Sequence, residues 1–316
     1  MKSKKEERIG ITKYNKYNEL MTLIEYIDAK NILVQFYDER KTIVHTNWDR
    51  FKQGAVYNKM SKIGLTNINY QNQIMKIIEY NNHIDLIVEF QNEFKHKVHT
   101  TLQSFNNGQV KDVYQPSVCG VGICGSKYPI YNGAKMLKEY VLWKHFIERC
   151  YDKKIKEKYP TYQDAICCEE WLLYENFYEW IHTQENYNKW LNGERWALDK
   201  DILVKGNKIY SPETCCLVPQ HVNTLFTKCN SNRGKLPIGV YKDKDRFLAK
   251  IIYGQQGNKT KVTAFRYPTP EDAFYLGYKP SKEAYIKQVA QEEYEKGNIT
   301  KKCYDAMMEY KVEITD

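Results

Sequence analysis

The sequence lacks any apolar run that approaches the roughly 18 residues needed by a membrane-spanning helix. Its first ten residues, MKSKKEERIG, are charged and contain no apolar segment of the secretory type. There is also no Cys-x-x-Cys pair, and the nine cysteines are an odd number. We therefore expect a cytoplasmic protein with reduced thiols, no membrane partner and no structural zinc site.

Positive charge is in surplus. The chain has 48 lysines and arginines against 39 aspartates and glutamates, a formal net charge of +9. Such a balance favours a polyanionic partner, most simply nucleic acid. Tyrosine is abundant at 27 residues. Because a tyrosine can pack a core and still form hydrogen bonds at a surface, this abundance favours broad contact faces.

The first third of the sequence contains an internal repeat. A shift of 54 residues superimposes the segment from Asn18 on the segment from Asn72 without a gap. Alternating apolar and polar residues predict strands in each unit, and the Phe-x-x-Gly-x-Val ending predicts a turn into a third strand. We predict two small β-sheet modules of the barrel kind, residues 18–58 and 72–112, within a first domain of residues 1–116.

The middle of the sequence predicts helices followed by a ββα unit. Residues 136–153 and 165–184 have apolar and aromatic residues at helical spacing. Residues 198–202 and 208–210 are predicted strands, with Gly206-Asn207 as the turn between them. Ser211 is the predicted N-cap, and Pro212 the first residue, of a helix that carries Asn223. This pattern assigns a second domain to residues 117–234.

An ordered set of motifs in residues 136–225 resembles HNH endonucleases of the kind found in phages. The motifs are Trp143, Arg149-Cys150-Tyr151, Tyr162, Trp171, Phe177, Trp180, Leu198-Asp199-Lys200-Asp201, Tyr210-Ser211-Pro212-Glu213-Thr214-Cys215, Val218-Pro219 and Asn223. The resemblance implies that Asp199 and Asn223 bind a divalent ion, Mg²⁺ or Mn²⁺, which stabilises charge on the scissile phosphate.

One position departs from that family. Lys200 stands where the family has the histidine that activates water, and a charged lysine is a poor base unless it is desolvated. Lys200, Asp201 and His221 are the candidate catalytic residues of a rearranged site. Two outcomes stay open: a metal-dependent DNA endonuclease, and an inactive descendant that needs no cofactor and in which Lys200 binds a phosphate.

Residues 235–316 predict a third domain with a three-stranded sheet and helices. The segment 236–278 resembles an AP2-type DNA-binding domain, in which basic residues on the exposed face of the sheet contact DNA. The candidate residues for this contact are Lys242, Lys244, Arg246, Lys250, Lys259, Lys261 and Arg266. Thr269 is predicted to cap a helix that begins at Pro270, and residues 281–299 predict an amphipathic helix.

Together these patterns predict an α+β multidomain protein: duplicated small β modules, an HNH-like ββα core with aromatic helices, and a C-terminal sheet with helices. The resemblance implies a phage-type DNA-binding protein in the host cytoplasm. A rival hypothesis is a phage anti-defence inhibitor or scaffold that binds a host defence complex by protein–protein contact. The tyrosine content and duplicated modules suit that rival, and a homo-oligomer remains open.

Overall fold

The computed structural model describes residues 7–193, 195–227, 236–251 and 263–316, and the side chains of residues 263 and 264 are not described. The protein is α+β with several small sheets, as predicted. It divides into two compact units, Met1–Gln115 and Pro116–Asp316. No helix within the described ranges is long and apolar enough to cross a membrane. The predicted boundary between the second and third domains, at residues 234 and 235, lies outside the described residues.

The first unit contains two four-stranded antiparallel sheets. Their strands are β1 (Thr12–Tyr14), β2 (Leu20–Tyr26), β3 (Ile32–Phe36) and β4 (Ile43–Thr46), then β5 (Thr66–Ile68), β6 (Ile74–Asn82), β7 (Asp85–Phe90) and β8 (Lys97–Thr100). The helices are α1 (Trp48–Lys52) and α2 (Leu102–Asn106), with a 3₁₀ turn at Lys59–Lys62. Strands pair in sequence order, so each sheet is a meander and, in the described pairing, its first and last strands do not close a barrel.

The two sheets match residue for residue. Met21 lies opposite Phe36 and Met75 opposite Phe90, and β2 and β6 have a bulge at the same place. The predicted turn into a third strand is wrong, because the Phe-x-x-Gly ending forms the short helices α1 and α2. Gly108 follows α2 with a positive φ, where an added Cβ would lie 2.7 Å from the carbonyl oxygen of Ile68. That close approach explains why glycine ends the unit.

A buried hydrogen bond recurs in the two sheets with donor and acceptor exchanged. In the first, Asn58 Nδ2 donates to Asp38 Oδ2 over 3.0 Å. In the second, Asn92 Nδ2 donates to Asp112 Oδ2 over 2.7 Å. Asn58 and Asp112 occupy equivalent positions, and so do Asp38 and Asn92. The amide–carboxylate pair therefore matters to the module, whereas which residue carries the charge does not.

The second unit combines helices with four small sheets among its described residues. Its strands are β9 (Tyr131–Asn132), β10 (Lys135–Met136), β11 (Ile166–Cys167), β12 (Trp196–Asp199), β13 (Ile209–Tyr210), β14 (Cys216–Pro219), β15 (Val240–Asp243), β16 (Arg246–Ile251) and β17 (Thr263–Tyr267). Its helices are α3 (Lys138–Tyr151), α4 (Lys153–Lys158), α5 (Tyr174–His182), α6 (Tyr187–Asn192), α7 (Gln220–Thr224), α8 (Pro270–Asp272), α9 (Lys279–Glu295) and α10 (Lys301–Glu309). Shorter turns are 3₁₀ helices at Pro160–Tyr162 and Glu170–Leu172 and a π-helix at Ala273–Tyr278.

The β12–β14 ribbon lies between two hydrophobic cores. All four residues of β14 are buried. Leu217 packs into a core that contains Trp143, Trp171 and other aromatic side chains of the helices. Its neighbours Cys216 and Val218 pack into a second core with the C-terminal sheet and α9. A strand that alternates between two cores is fixed on both faces, which makes the ribbon a rigid platform for the residues that follow it.

Several predicted elements of this unit are corrected by the structure. The partner of β12 is β14, whereas β13, the predicted second strand, pairs in parallel with β11. Ser211 begins a turn rather than a helix, and the helix carrying Asn223 begins at Gln220. The strand–strand–helix order is thus built from β12, β14 and α7. The predicted aromatic helix at 165–184 begins only at Tyr174 and ends at His182.

The C-terminal sheet has the order β15-β16-β17 and is covered by the π-helix and α9. Thr269 caps α8 through a hydrogen bond from the Asp272 N–H to its Oγ1, as predicted. The apolar face of α9 contains Ile286, Val289 and Ala290, which are buried, whereas the predicted member Tyr294 is exposed. Helix α10 was not predicted.

Candidate functional site

A cleft of about 370 Å³ lies beside the β12–β14 ribbon. Its lining comes from α3, from the 3₁₀ turn at Pro160–Tyr162, from β12 with the residues that follow it, from β13 and from α7. The lining residues are Leu142, His145, Arg149, Tyr162, Trp196, Ala197, Leu198, Asp199, Lys200, Asp201, Tyr210, Gln220 and Asn223. Polar and charged side chains from five segments of the chain therefore meet in one cavity.

Asp199 is the last residue of β12 and is buried. Its Oδ1 accepts hydrogen bonds from the backbone N–H groups of Asp201 at 2.7 Å and Ile202 at 2.8 Å. This turn ends the strand and directs Ile202 into the second core. Burial raises the pKa of Asp199 above its ordinary value, although the two N–H groups act in the opposite direction. A buried carboxylate with a raised pKa in a cleft is a frequent feature of functional sites.

Lys200 is buried, and its ammonium group forms two hydrogen bonds within the loop. Nζ donates to Asp201 Oδ2 over 2.7 Å and to the carbonyl oxygen of Asn207 over 2.8 Å. In return, Asn207 Nδ2 donates to the carbonyl oxygen of Lys200 over 2.8 Å. These contacts close the loop between β12 and β13. Lys200 and Asp201, both predicted catalytic residues, are therefore paired with each other.

The predicted metal ligands Asp199 and Asn223 line the same cleft, the second from α7. His221, two residues before Asn223, is not among the lining residues. Its Nε2 lies 3.5 Å from Oε1 of Glu293, a buried residue of α9. His221 thus ties α7 to α9, and the structure separates it from the other predicted catalytic residues.

Two cleft residues on α3 were not among the predicted site residues. His145 is exposed, and Arg149, one helical turn later, is half-buried. Arg149 forms a side-chain hydrogen bond with Tyr210, and its guanidinium lies 5.5 Å from the ring centroid of Tyr162. In the described part of the chain no carboxylate forms an ion pair with it. The signal available in the sequence was their four-residue spacing, which places both on one helix face.

The donor set fits a hard divalent ion such as Mg²⁺ or Mn²⁺. The described hydrogen bonds of the Asp199 carboxyl group are made by Oδ1, which leaves Oδ2 for a ligand, and the Asn223 side chain borders the same cleft. Carboxylate and amide oxygens suit such ions, which commonly take only one or two protein ligands and complete their coordination with water and phosphate oxygens. No cluster of three or more His, Cys, Asp or Glu residues suited to a metal occurs in the described ranges.

The C-terminal sheet divides the predicted DNA-binding residues between its faces. Strand register places Arg246, Lys250 and Arg266 on the face opposite the core, together with the exposed Tyr241. Lys250 Nζ lies 5.5 Å from the ring centroid of Tyr241, and Arg266 pairs with Asp243 over 3.0 Å. The remaining predicted residues lie elsewhere: Lys242 on the other face, Lys244 in the β15–β16 turn, and Lys259 and Lys261 outside the described residues.

No family model, curated protein or solved structure matches this chain.

Proposed function

We propose that the protein binds double-stranded DNA and that the cleft receives the phosphodiester backbone. One observation carries this proposal: the cleft holds a half-buried arginine, which has no carboxylate partner among the described residues, beside two oxygen-donor side chains. Arg149 is the group that would bind a phosphate oxygen, since a guanidinium matches phosphate geometry. Asp199 and Asn223 would hold Mg²⁺ or Mn²⁺, and that ion would neutralise phosphate charge.

The outer face of the C-terminal sheet is the proposed second contact. Arg246, Lys250 and Arg266 lie on one surface, where Arg266 is paired with Asp243, and Tyr241 adds an aromatic ring on the edge strand β15 of the same face. Basic side chains on a sheet face supply the sequence-independent part of DNA affinity. The net charge of +9 over the whole chain acts in the same direction.

Fluorescence anisotropy with a labelled duplex tests this proposal. Binding is measured in EDTA and in Mg²⁺ over a series of salt concentrations from about 50 to about 300 mM. Arg149→Met is expected to weaken binding about tenfold and to lower the slope of log affinity against log salt by about 1. Arg50→Met, which removes an exposed arginine from α1, is the matched control. A wild type whose affinity does not respond to salt would contradict DNA binding.

A second candidate function is binding to a host defence complex through protein–protein contacts. The observation that favours it is a set of exposed large side chains in the first unit: Tyr14, Tyr17, Ile27, Tyr37 and Ile43. Exposed tyrosines are suited to a protein interface, in which aromatic residues are enriched. A nuclease-treated host lysate should then yield a defined partner with the wild type and lose it with Tyr14→Ser/Tyr37→Ser. Equal capture by both proteins would remove this candidate.

A further inference from the structure

The proposed cleft still needs a group that could activate water if it is to cut DNA. Lys200 occupies the position of the usual base, yet its ammonium donates to both Asp201 and the Asn207 carbonyl. Asp201 Oδ2 in turn accepts from that ammonium. An ammonium that donates to these two acceptors has no lone pair with which to accept a proton from water, and Asp201 Oδ2 is already occupied as an acceptor.

We infer that His145 is the general base of a DNA-hydrolysing site in this cleft. The inference rests on the proposed function and goes beyond binding, because it assigns a reaction and the residue that begins it. His145 is the one imidazole that lines the cleft within the described residues, since His221 is held by Glu293 elsewhere.

The position of His145 suits this task in three ways. It is exposed, and no hydrogen-bond or ion-pair partner occupies its ring nitrogens in the described part of the chain. It lies four residues before Arg149, so both side chains project from the same face of α3. His145 and Arg149 line the same cleft as Asp199 and Asn223. A phosphate held by Arg149 would therefore lie on the same side of α3 as the imidazole.

The chemical step is balanced without a further reactant. A ring nitrogen of His145 accepts a proton from water as the water oxygen forms a bond to phosphorus. The bond between phosphorus and the leaving ester oxygen breaks, and that oxygen takes a proton from solvent. The products are a phosphate monoester end and a hydroxyl end, and the imidazolium returns its proton to solvent. Base catalysis of this kind typically contributes about 10²–10⁴-fold.

Plasmid nicking in Mg²⁺ and Mn²⁺ tests the inference, with duplex affinity in EDTA measured beside it. His145→Ala is expected to lower the nicking rate at least about 100-fold while duplex affinity stays within about twofold. Added free imidazole is expected to restore much of the rate, because it can replace a missing base but not a missing structural contact. His83→Ala, which changes another exposed histidine, should nick like the wild type.

Four results would overturn the inference. Wild-type protein that binds duplex DNA but never nicks it removes hydrolysis and the role of His145, and leaves the proposed binding function intact. Wild-type protein that neither binds nor nicks removes both. Nicking that persists in His145→Ala removes the assigned base alone. Loss of nicking together with loss of duplex affinity, without rescue by imidazole, makes His145 a binding residue instead.

Discussion

The ionisable residues of the cleft fall into two sets that are held differently. In the β12 set, Asp199, Lys200 and Asp201, the charged groups are bonded to one another or to the backbone of their own loop. In the α3 pair, His145 has no partner and Arg149 has only neutral tyrosines within the described residues. A polar group whose hydrogen bonds are satisfied inside the chain holds the fold, whereas an atom without a partner among the described residues, such as Asp199 Oδ2 or a ring nitrogen of His145, is available to a ligand.

The largest expected effect is a difference in the free energy of unfolding between variants of Lys200 and His145. Lys200→Met removes a buried ammonium that bridges a carboxylate and a carbonyl, and is expected to lower the free energy of unfolding by about 3 kcal/mol. His145→Ala changes an exposed side chain and should stay within about 0.5 kcal/mol of the wild type. Urea unfolding followed by circular dichroism measures both. Equal losses in the two variants would erase the distinction between the sets.

Glu293 is another carboxylate whose hydrogen bonds are satisfied within the chain. Its ionisation is expected to make the free energy of unfolding depend on pH. Burial alone would raise its pKa, but hydrogen bonds from His221, Lys296 and Asn298 outweigh burial and lower the pKa from 4.5 to about 2. A lowered pKa means that the ionised form stabilises the fold above about pH 4.5 and that this contribution disappears as the pH falls towards 2.

Glu293→Gln should therefore cost about 2 kcal/mol at neutral pH and nothing at the acid end. Chemical unfolding at a series of pH values from neutral to acid provides the measurement. Glu292→Gln, on the exposed neighbour in α9, is the matched control. If the two variants have parallel stability profiles, Glu293 is not the stabilising charge assigned to it.

Asp199 belongs to the β12 set but is expected to behave as a functional residue. Because its pKa is raised, the folded protein prefers the neutral form, and the charge at neutral pH opposes folding. Asp199→Asn retains an oxygen for the two backbone N–H groups and should stabilise the metal-free fold by about 1 kcal/mol. It should also abolish the rise in Tm that Mg²⁺ produces in the wild type, since metal binding needs the carboxylate.

Thermal unfolding in EDTA and in Mg²⁺ separates these two effects of Asp199. For the wild type, the Mg²⁺-dependent rise in Tm should shrink as the pH is lowered, because the proton competes with the ion at a carboxyl group of raised pKa. An unchanged response to Mg²⁺ in Asp199→Asn would contradict the assigned ligand.

The smallest expected effect concerns the two faces of the C-terminal sheet. Lys250→Gln removes a charge from the outer face and should weaken duplex binding about threefold, as expected for a single phosphate contact. Lys242→Gln removes a charge from the other face and should change binding little. Anisotropy at constant salt compares them. A larger loss with Lys242→Gln would reverse the assignment of the DNA-facing surface.

The sequence predicted those parts of the fold in which one face of a strand or helix is buried, because burial of one face produces a regular apolar spacing. The repeated sheets follow from alternation and duplication, and α3 follows from its apolar spacing. The second strand of the ribbon was missed because Cys216, Leu217 and Val218 are buried on both faces and show no alternation. Ser211-Pro212, which resembles a helix start, instead begins a turn.

The candidate site was predicted only on its ribbon side. Asp199 and Asn223 were named from the resemblance, and the cleft brings them together. His145 and Arg149 are distant in sequence from β12 and belong to the polar face of α3. The apolar spacing of a helix identifies its buried face, but it does not identify the element that lies next to its exposed face. Only tertiary structure places that face beside β12.

Photo-crosslinking from inside the cleft tests the central claim most directly, because the claim is that DNA occupies this cavity. A benzophenone amino acid in place of Gln220, an exposed lining residue at the start of α7, is irradiated with a labelled duplex. The same group in place of Lys154, an exposed residue of α4 that does not line the cleft, serves as the reference. The account predicts strong DNA adducts from position 220 that disappear with Arg149→Met. Adducts from position 154 alone, or none from position 220 under conditions where the duplex is bound, would contradict it.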